Sequence, residues 1–231
     1  MNEILNSAQL SAFRTLDACA VANAIESFDV RLRNEGFTDS SIKCLFERLP
    51  AMTGYATTLR IRSANPPFKS HAYFDRTDWW NYLLTIPAPR IIVMQDMDQV
   101  PGTGAFVGEV HARIFMALGC IGVITNGAVR DLSSVEATGF HFFSGNVSVS
   151  HAYVHIVDFG GPVTIGGLKI NPGDLVHGDR HGILTIPPSI AAEVPAAAER
   201  LKEKDRKIIE LCGSATFSLE RLRETIQEIS S

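Results

Sequence analysis

Apolar residues recur every three or four positions near the start of the chain. In LSAFRTLDACAVANAIESFDVRLRNEG, Phe13, Leu16, Cys19, Ala20, Ala24 and Ile25 share one stripe, which predicts a helix from about Ser7 to Glu35, stopped by Gly36. A second short helix is predicted over SSIKCLFERL, between Asp39 and Pro50. The period then changes to two, and MTGYATTLRIRS alternates as a strand does. The next segment, NPPFKSHAYFDRTDWWNYLLTIPAPR, is broken up by Pro66, Pro67, Pro87 and Pro89 and reads as a connection with a short helix around Asp78 to Leu84. Ile91 to Met94 form an apolar strand that runs through Gln95-Asp96-Met97-Asp98 into a glycine-rich loop, with a helix predicted to begin near Ala105.

The stretch GCIGVITNGAVRD, Gly119 to Asp131, is the best candidate for chemistry. Branched residues Ile121, Val123 and Ile124 predict a buried strand that breaks at the turn signal Thr125-Asn126-Gly127 and delivers Arg130 and Asp131 side by side. Adjacent residues on a strand point to opposite faces, so their joint use needs a loop or the first turn of a helix, which LSSVEATG supplies. A carboxylate is favoured near a helix N-terminus, and an arginine fork suits a planar anion. A surface ion pair or a capping aspartate accounts for the same two residues without chemistry. Upstream, Gly102, Gly104 and Gly108 relax the backbone so that successive amides can face an anion. The third glycine comes one residue late for a dinucleotide fingerprint, and the following strand ends in Thr125-Asn126 where the ribose acid belongs.

After Asp131 come short segments separated by turn signals: HFFSGNVSV, HAYVHIVDFG, GPVTIGG, LKINPGD and LVHGDRHGILTIP. This punctuation predicts a compact antiparallel or barrel-like sheet rather than repeated strand-helix-strand units. Ile190 to Leu211 and Ser218 to Ile229 are helical in pattern, and their charged character suits helices that reach over a neighbouring subunit or a solvated surface.

The chain has 231 residues, room for one substantial core, and a net charge of -4 without any Lys/Arg-rich run, which removes the electrostatic footprint of a nucleic-acid binder. Its apolar runs are too short to cross a bilayer and the N-terminus lacks a basic-then-apolar leader, so a cytoplasmic protein is expected. Cys19, Cys44, Cys120 and Cys212 are scattered and are expected to be reduced thiols. His151 with His155, and His177, Asp179 and His181, show no recognised zinc-ligand spacing. Ser144, Ser148 and Ser150 lack the strand-elbow-helix context of a nucleophile.

Taken together, GAFVGE at 104 to 109, GCIGVITNGAVRDL at 119 to 132, GF at 139 to 140, PGDLVHGD at 172 to 179 and GILTIP at 182 to 187 resemble the RraA-like family. That family includes class II 4-hydroxy-4-methyl-2-oxoglutarate/4-carboxy-4-hydroxy-2-oxoadipate aldolases and a ribonuclease E regulator. Its sharpest feature here is an acid, twenty intervening positions and Arg-Asp, seen as Glu109 and Arg130-Asp131. The resemblance implies an α/β fold, an α/β/β sandwich with a central barrel-like sheet and helical N- and C-terminal segments. It also implies a single domain over 1–231, with a helical segment at 1–50, a core at 91–187 and C-terminal helices at 188–231. Homotrimers or homohexamers with active sites between subunits are expected.

Carried over residue by residue, the resemblance makes Asp131 the direct ligand of Mg²⁺ or Mn²⁺ and Glu109 the holder of metal-bound water. Arg130 matches the arginine that steadies the enolate, and the amides after Gly108, at Val110 and His111, match the cradle for the substrate carboxylate. Glu203, with Glu199 next, is the candidate glutamate from the neighbouring chain. The chain departs from many relatives at Asn126, where an aspartate is usual, and at His111, where a leucine-like residue is usual. Both bear on the substrate rather than the metal. The activity implied is a divalent-metal-dependent lyase acting on small 2-oxo acids, by retro-aldol cleavage releasing pyruvate or by oxaloacetate decarboxylation. The alternative is a non-catalytic regulator that binds a ribonuclease. A methyltransferase would need a nucleoside-methionine pocket, for which the glycine loop offers little.

Overall fold

A computed structural model describes residues 4–67 and 76–230. In chain order the elements are α1 (Ser7–Phe13), α2 (Ala18–Glu26), β1 (Lys43–Cys44), β2 (Met52–Arg62), α3 (Arg76–Leu83), β3 (Arg90–Asp96), β4 (Ala105–Val107), α4 (Glu109–Ala117), β5 (Cys120–Val129), α5 (Leu132–Glu136), β6 (His141–Val147), β7 (His155–Phe159), β8 (Val163–Ile165), β9 (Leu168–Ile170), β10 (Leu175–Asp179), β11 (Gly182–Ile186), α6 (Val194–Cys212) and α7 (Leu219–Ser230).

The single helix expected over Ser7 to Glu35 is two. Asn6 and Gln9 close a capping box on α1, and the Asp17 side chain accepts from the Ala20 N–H at 2.7 Å to start α2 afresh. Beyond Glu26 the chain turns, with Asp29 in the left-handed region at φ 51°. The helix expected over SSIKCLFERL is absent. Asp39 accepts from the Ser41 N–H at 2.9 Å, a side-chain turn that competes with helix initiation, and Lys43–Cys44 pairs with β6. Part of the proline-rich connection, residues 68–75, lies outside the described residues; its predicted short helix is α3.

The main sheet runs β1-β6-β5-β3-β2-β10-β11. Its centre is parallel, β2 to β3, β3 to β5 and β5 to β6; of the segments after Asp131, for which an antiparallel or barrel-like sheet is expected, β7 to β11 pair antiparallel and β6 joins the parallel centre. Short-range punctuation shows where strands end, whereas a parallel pairing is set by segments far apart in the chain. The antiparallel members are β10, β11, β7 and β1. The long β2 serves two partners on one edge, β10 at Met52 to Tyr55 and β7 at Leu59 to Arg62. Between the outer edges runs the segment that holds Phe37, which bridges Leu184 on β11, and Lys43, which pairs with Ser144 on β6. The sheet is therefore a nearly closed barrel.

Strands of the parallel centre are apolar on both faces, as buried parallel strands are. Ile91, Val93, Ile124 and Phe143 point inward with Val163, Ile165, Leu168 and Ile170 of the β8-β9 hairpin, which plugs the barrel. Outside, Ile92, Met94 and Val123 meet Phe115 of α4, Val135 of α5 and Trp79 of α3. A third cluster joins α1, α2 and α6 to Tyr55, Leu184 and Ile186. No helix among the described residues is long and apolar enough to cross a membrane, and the four cysteines are free.

Candidate active site

At the turn signal Thr125-Asn126-Gly127 the strand does not end. β5 continues to Val129, with its pairing to β3 ending at Thr125 and its register on β6 shifting between Thr125 and Ala128. The Asn126 side chain keeps the two strands together beyond the last ladder pair: its Oδ1 accepts from the Asp96 N–H at 2.7 Å and its Nδ2 donates to the Asp96 carbonyl at 3.0 Å. An aspartate could make only the first of these bonds. The departure at position 126 thus has an internal structural use, whereas the resemblance pointed to the substrate.

The glycine-rich loop differs in a similar way. The Gly102 amide donates to Asp96 Oδ2 at 2.9 Å and the Gly104 amide to Ser63 Oγ at 3.1 Å, so these donors are committed within the chain. Asp96 Oδ1 accepts from the Asp98 N–H at 3.0 Å, and Asp98 Oδ2 accepts from the amides of Ser63 and Ala64 at 2.6 and 2.8 Å. Burial pushes the Asp96 carboxyl up from its ordinary range, against the opposing hydrogen bonds. Instead of a helix at Ala105 the chain forms β4, which pairs with the end of β5, and α4 begins at Glu109.

This arrangement brings Gly108, Glu109, Arg130 and Asp131 together. The Arg130 N–H donates to the Val107 carbonyl at 3.0 Å, which ties the loop after β5 to the end of β4. Asp131 adopts the left-handed conformation, φ 58° and ψ 40°, a region that aspartate tolerates better than most residues. From there Oδ2 accepts from the Glu109 N–H at 3.0 Å, at the first turn of α4. The carboxylate is thereby aimed at the positive end of that helix while 37% of the side chain stays exposed. Arg130 Nε lies 3.4 Å from Asp131 Oδ1. A Cβ on Gly108 would sit 2.3 Å from Asp131 Oδ2, so glycine is needed here for close approach; its own φ of -131° is open to any residue.

Glu109 Oε1 is held by Arg113, one turn along α4, at 2.8 Å. Val110 is exposed, and the amides of Val110 and His111 lie in the first turn of α4, which has no side-chain cap. The His111 ring lies 5.1 Å from that of Phe106 and 5.8 Å from that of Phe115, so it packs on the aromatic side of α4, while Glu109 and Arg113 share another face. Glu203 pairs with Arg206 at 2.8 Å and Glu199 with Lys202 at 3.5 Å, on a helix that packs against α2 and α7. Among the described residues no three His, Cys, Asp or Glu side chains gather as a metal-binding group, so no third carboxylate joins Asp131 and Glu109 from within the described chain.

The rival constellations fall to structural roles. His177 is fully buried with Nδ1 2.8 Å from Thr53 Oγ1, and His181 pairs with Asp179 at 3.1 Å. His151 precedes β7 rather than sharing it with His155. Ser144 Oγ donates to the Gly127 carbonyl at 2.9 Å and holds the irregular part of β5.

A nearly closed mixed barrel with an Arg-Asp pair beyond a central strand, facing an acid at a helix start, defines a recognisable class of protein. The RraA-like family model, described as Aldolase/RraA, matches residues 18–185, and the chain belongs to that family. Among its relatives, "Putative 4-hydroxy-4-methyl-2-oxoglutarate aldolase" of Halalkalibacterium halodurans is 25% identical over 199 residues, covering 85% of this chain and 84% of that protein. Protein DlpA of Legionella pneumophila is 30% identical over 148 residues, 62% of this chain but only 23% of DlpA, so the chain spans under a quarter of that longer protein. Among solved structures, an uncharacterized protein from Pseudomonas syringae pv. tomato superposes with a TM-score of 0.75 at 23% identity, covering 97% of both chains. Streptomyces coelicolor RraAS2, described as an unusual member of the RNase ES inhibitor RraA protein family, gives 0.67 at 22% identity, covering 88% of this chain and 98% of that one. Likeness at these identities speaks for the fold.

Proposed function

We propose that this protein is a divalent-metal-dependent lyase acting on 2-oxo acids, cleaving 4-hydroxy-2-oxo acids to release pyruvate or decarboxylating oxaloacetate to the same enolate. The observation that carries the reading is the Asp131 carboxylate, fixed by the Glu109 N–H yet exposed, with Gly108 keeping the space beside it open and Arg130 alongside.

This donor set fits a hard cation. Mg²⁺ takes one or two carboxylates and keeps several waters, whereas a structural zinc site asks for four nitrogen or sulfur ligands. Asp131 directly, and Glu109 through water, would hold Mg²⁺ or Mn²⁺, which would supply Lewis acidity for enolate formation. The amides of Val110 and His111 orient the substrate carboxylate at the helix start. Glu109, its Oε1 steadied by Arg113, accepts the 4-hydroxyl proton at Oε2 by way of water as the C3–C4 bond breaks. Arg130 directs its fork at the developing enolate oxygen, a contribution of about 3 to 4 kcal/mol for a well-placed donor. A proton returned to C3 completes pyruvate. Glu203 of a neighbouring copy supplies the further carboxylate in a trimer or hexamer.

The test is pyruvate release from a panel of 4-hydroxy-2-oxo acids and oxaloacetate, with Mg²⁺ and with a chelator. Turnover that the chelator removes, and that Asp131→Ala abolishes, supports the reading; full retention in that variant ends the metal role. Absence of turnover with every acid, together with inhibition of a ribonuclease by the purified protein, replaces the lyase with the regulator.

A further inference from the structure

The opposite end of the parallel strands holds a second concavity. A cavity of about 390 Å³ lies where β5 and β6 begin, roofed by α1 and bordered by the last turn of α4. That volume is within the range of small-molecule sites, roughly 300 to 1,000 Å³. Its walls are mostly apolar, with Met52, Ile121 and Phe140 among them. Arg14 and His141 line it, together with the hydroxyl residues Ser7, Ser11 and Thr53.

Among the described residues neither the Arg14 nor the His141 side chain has a hydrogen-bond or ion-pair partner. His141 is only 8% exposed, stacks on Phe143 with ring centroids 6.3 Å apart, and makes no side-chain hydrogen bond among the described residues. Burial first, and the Arg14 charge second, push its protonation down to about 4, so the ring is neutral at pH 7 and can donate one hydrogen bond. Arg14 also borders a polar groove with Asp17 and Asp179, yet its guanidinium forms no ion pair among the described residues. A buried neutral ring and an unneutralised guanidinium facing the same apolar space leave one charge and one hydrogen bond to be matched. A monoanion with a hydrocarbon body matches both.

We propose that this cavity binds a small organic carboxylate, its oxygens taken by Arg14 and His141 and its apolar body lodged against Met52, Ile121 and Phe140. The Arg14 fork suits a carboxylate in bidentate geometry, and the hydrocarbon leaves water as the carboxylate docks. The site is separate from Asp131: β5 carries Ile121 at its start and leads to Arg130 past its far end, nine residues or roughly 30 Å of strand away. Its occupancy is therefore independent of the lyase chemistry and is read by binding alone.

Calorimetric titration of the intact protein with phenylacetate and with 4-methylvalerate tests it, with phenylacetamide as the uncharged control. Saturable binding of at least one acid at one per chain is expected, about tenfold or more tighter than the amide, with the His141 ring resonances shifting on titration. Arg14→Gln, at an exposed position without an ion pair among the described residues, should weaken binding about tenfold and leave the melting temperature unchanged. Ser11→Trp, which fills the cavity from its solvent side, should abolish binding. No saturable binding by either acid, equal binding of the amide, or undiminished binding in Arg14→Gln would each overturn the proposal.

Discussion

Two aspartates stand at the C-terminal ends of neighbouring parallel strands, and their surroundings make them different reagents. Asp96 ends β3 at 2% exposure, with its oxygens accepting from the amides of Asp98 and Gly102. Asp131 follows β5, gives one oxygen to the Glu109 N–H, and stays more than a third exposed. A carboxylate saturated by its own backbone fastens a loop. One that is aimed by a single amide and open on its other side is available to a cation and a substrate. Burial and saturation by backbone amides, more than residue type, separate Asp96 from Asp131.

Exchanging the two roles by mutation sharpens the contrast. Asp131→Asn keeps a residue that tolerates the left-handed backbone and an oxygen for the Glu109 N–H, and removes the charge. Metal-dependent kcat/KM for pyruvate release should fall roughly 10³-fold, about 4 kcal/mol, with the melting temperature moving by less than about 2 °C. Asp96→Ala should do the reverse. It strands two buried amides, a loss of about 3 kcal/mol that lowers the melting temperature by roughly 6 to 12 °C in calorimetry, while turnover per folded molecule stays well above that of Asp131→Asn.

Gly108→Ala tests close approach. The new methyl meets Asp131 Oδ2 at 2.3 Å, so activity should fall about 100-fold, with little change in the urea midpoint, because the backbone there accepts a side chain. Asn126→Asp removes the bond to the Asp96 carbonyl and sets a carboxylate against it, which should cost about 1 to 2 kcal/mol in urea unfolding.

The smallest effect per step is in pH. His177 and His141 both have their protonation lowered from 6.5 to about 4, chiefly by burial, with the Asp179 charge opposing it at His177 and Arg14 adding to it at His141. The unfolded chain binds these protons first, so the stability that the two neutral rings contribute is intact above pH 6.5 and is lost as pH falls toward 4. The slope is at most about 1.4 kcal/mol per pH unit for each histidine, and His141→Phe should flatten the melting-temperature profile in that window.

Much of this was legible in the chain and some was not. The spacing of Glu109 and Arg130-Asp131, the strand at Ile91 to Met94 and the C-terminal helices follow from local pattern and family likeness. Asp17 looked like an ordinary polar position on a helical stripe, because a capping side chain and a solvated one are the same residue until the backbone turns. Thr125-Asn126-Gly127 looked like a turn because the partner that keeps the strand going, Asp96, lies thirty residues earlier. Gly102, Gly104 and Gly108 looked alike, yet one has a left-handed backbone, one lies against the His151 carbonyl and one against the Asp131 carboxylate. The misses at Asn126, Gly104 and Gly108 are long-range contacts, which local sequence does not encode.

The most direct measurement is Mn²⁺ binding, followed by electron paramagnetic resonance in the presence of oxalate, a mimic of the pyruvate enolate. The account predicts oxalate-enhanced binding of one ion per chain in the unmodified protein and in folded Asp96→Ala, and its loss in Asp131→Asn. Undiminished binding in Asp131→Asn, or a site that disappears only with Asp96, would contradict it.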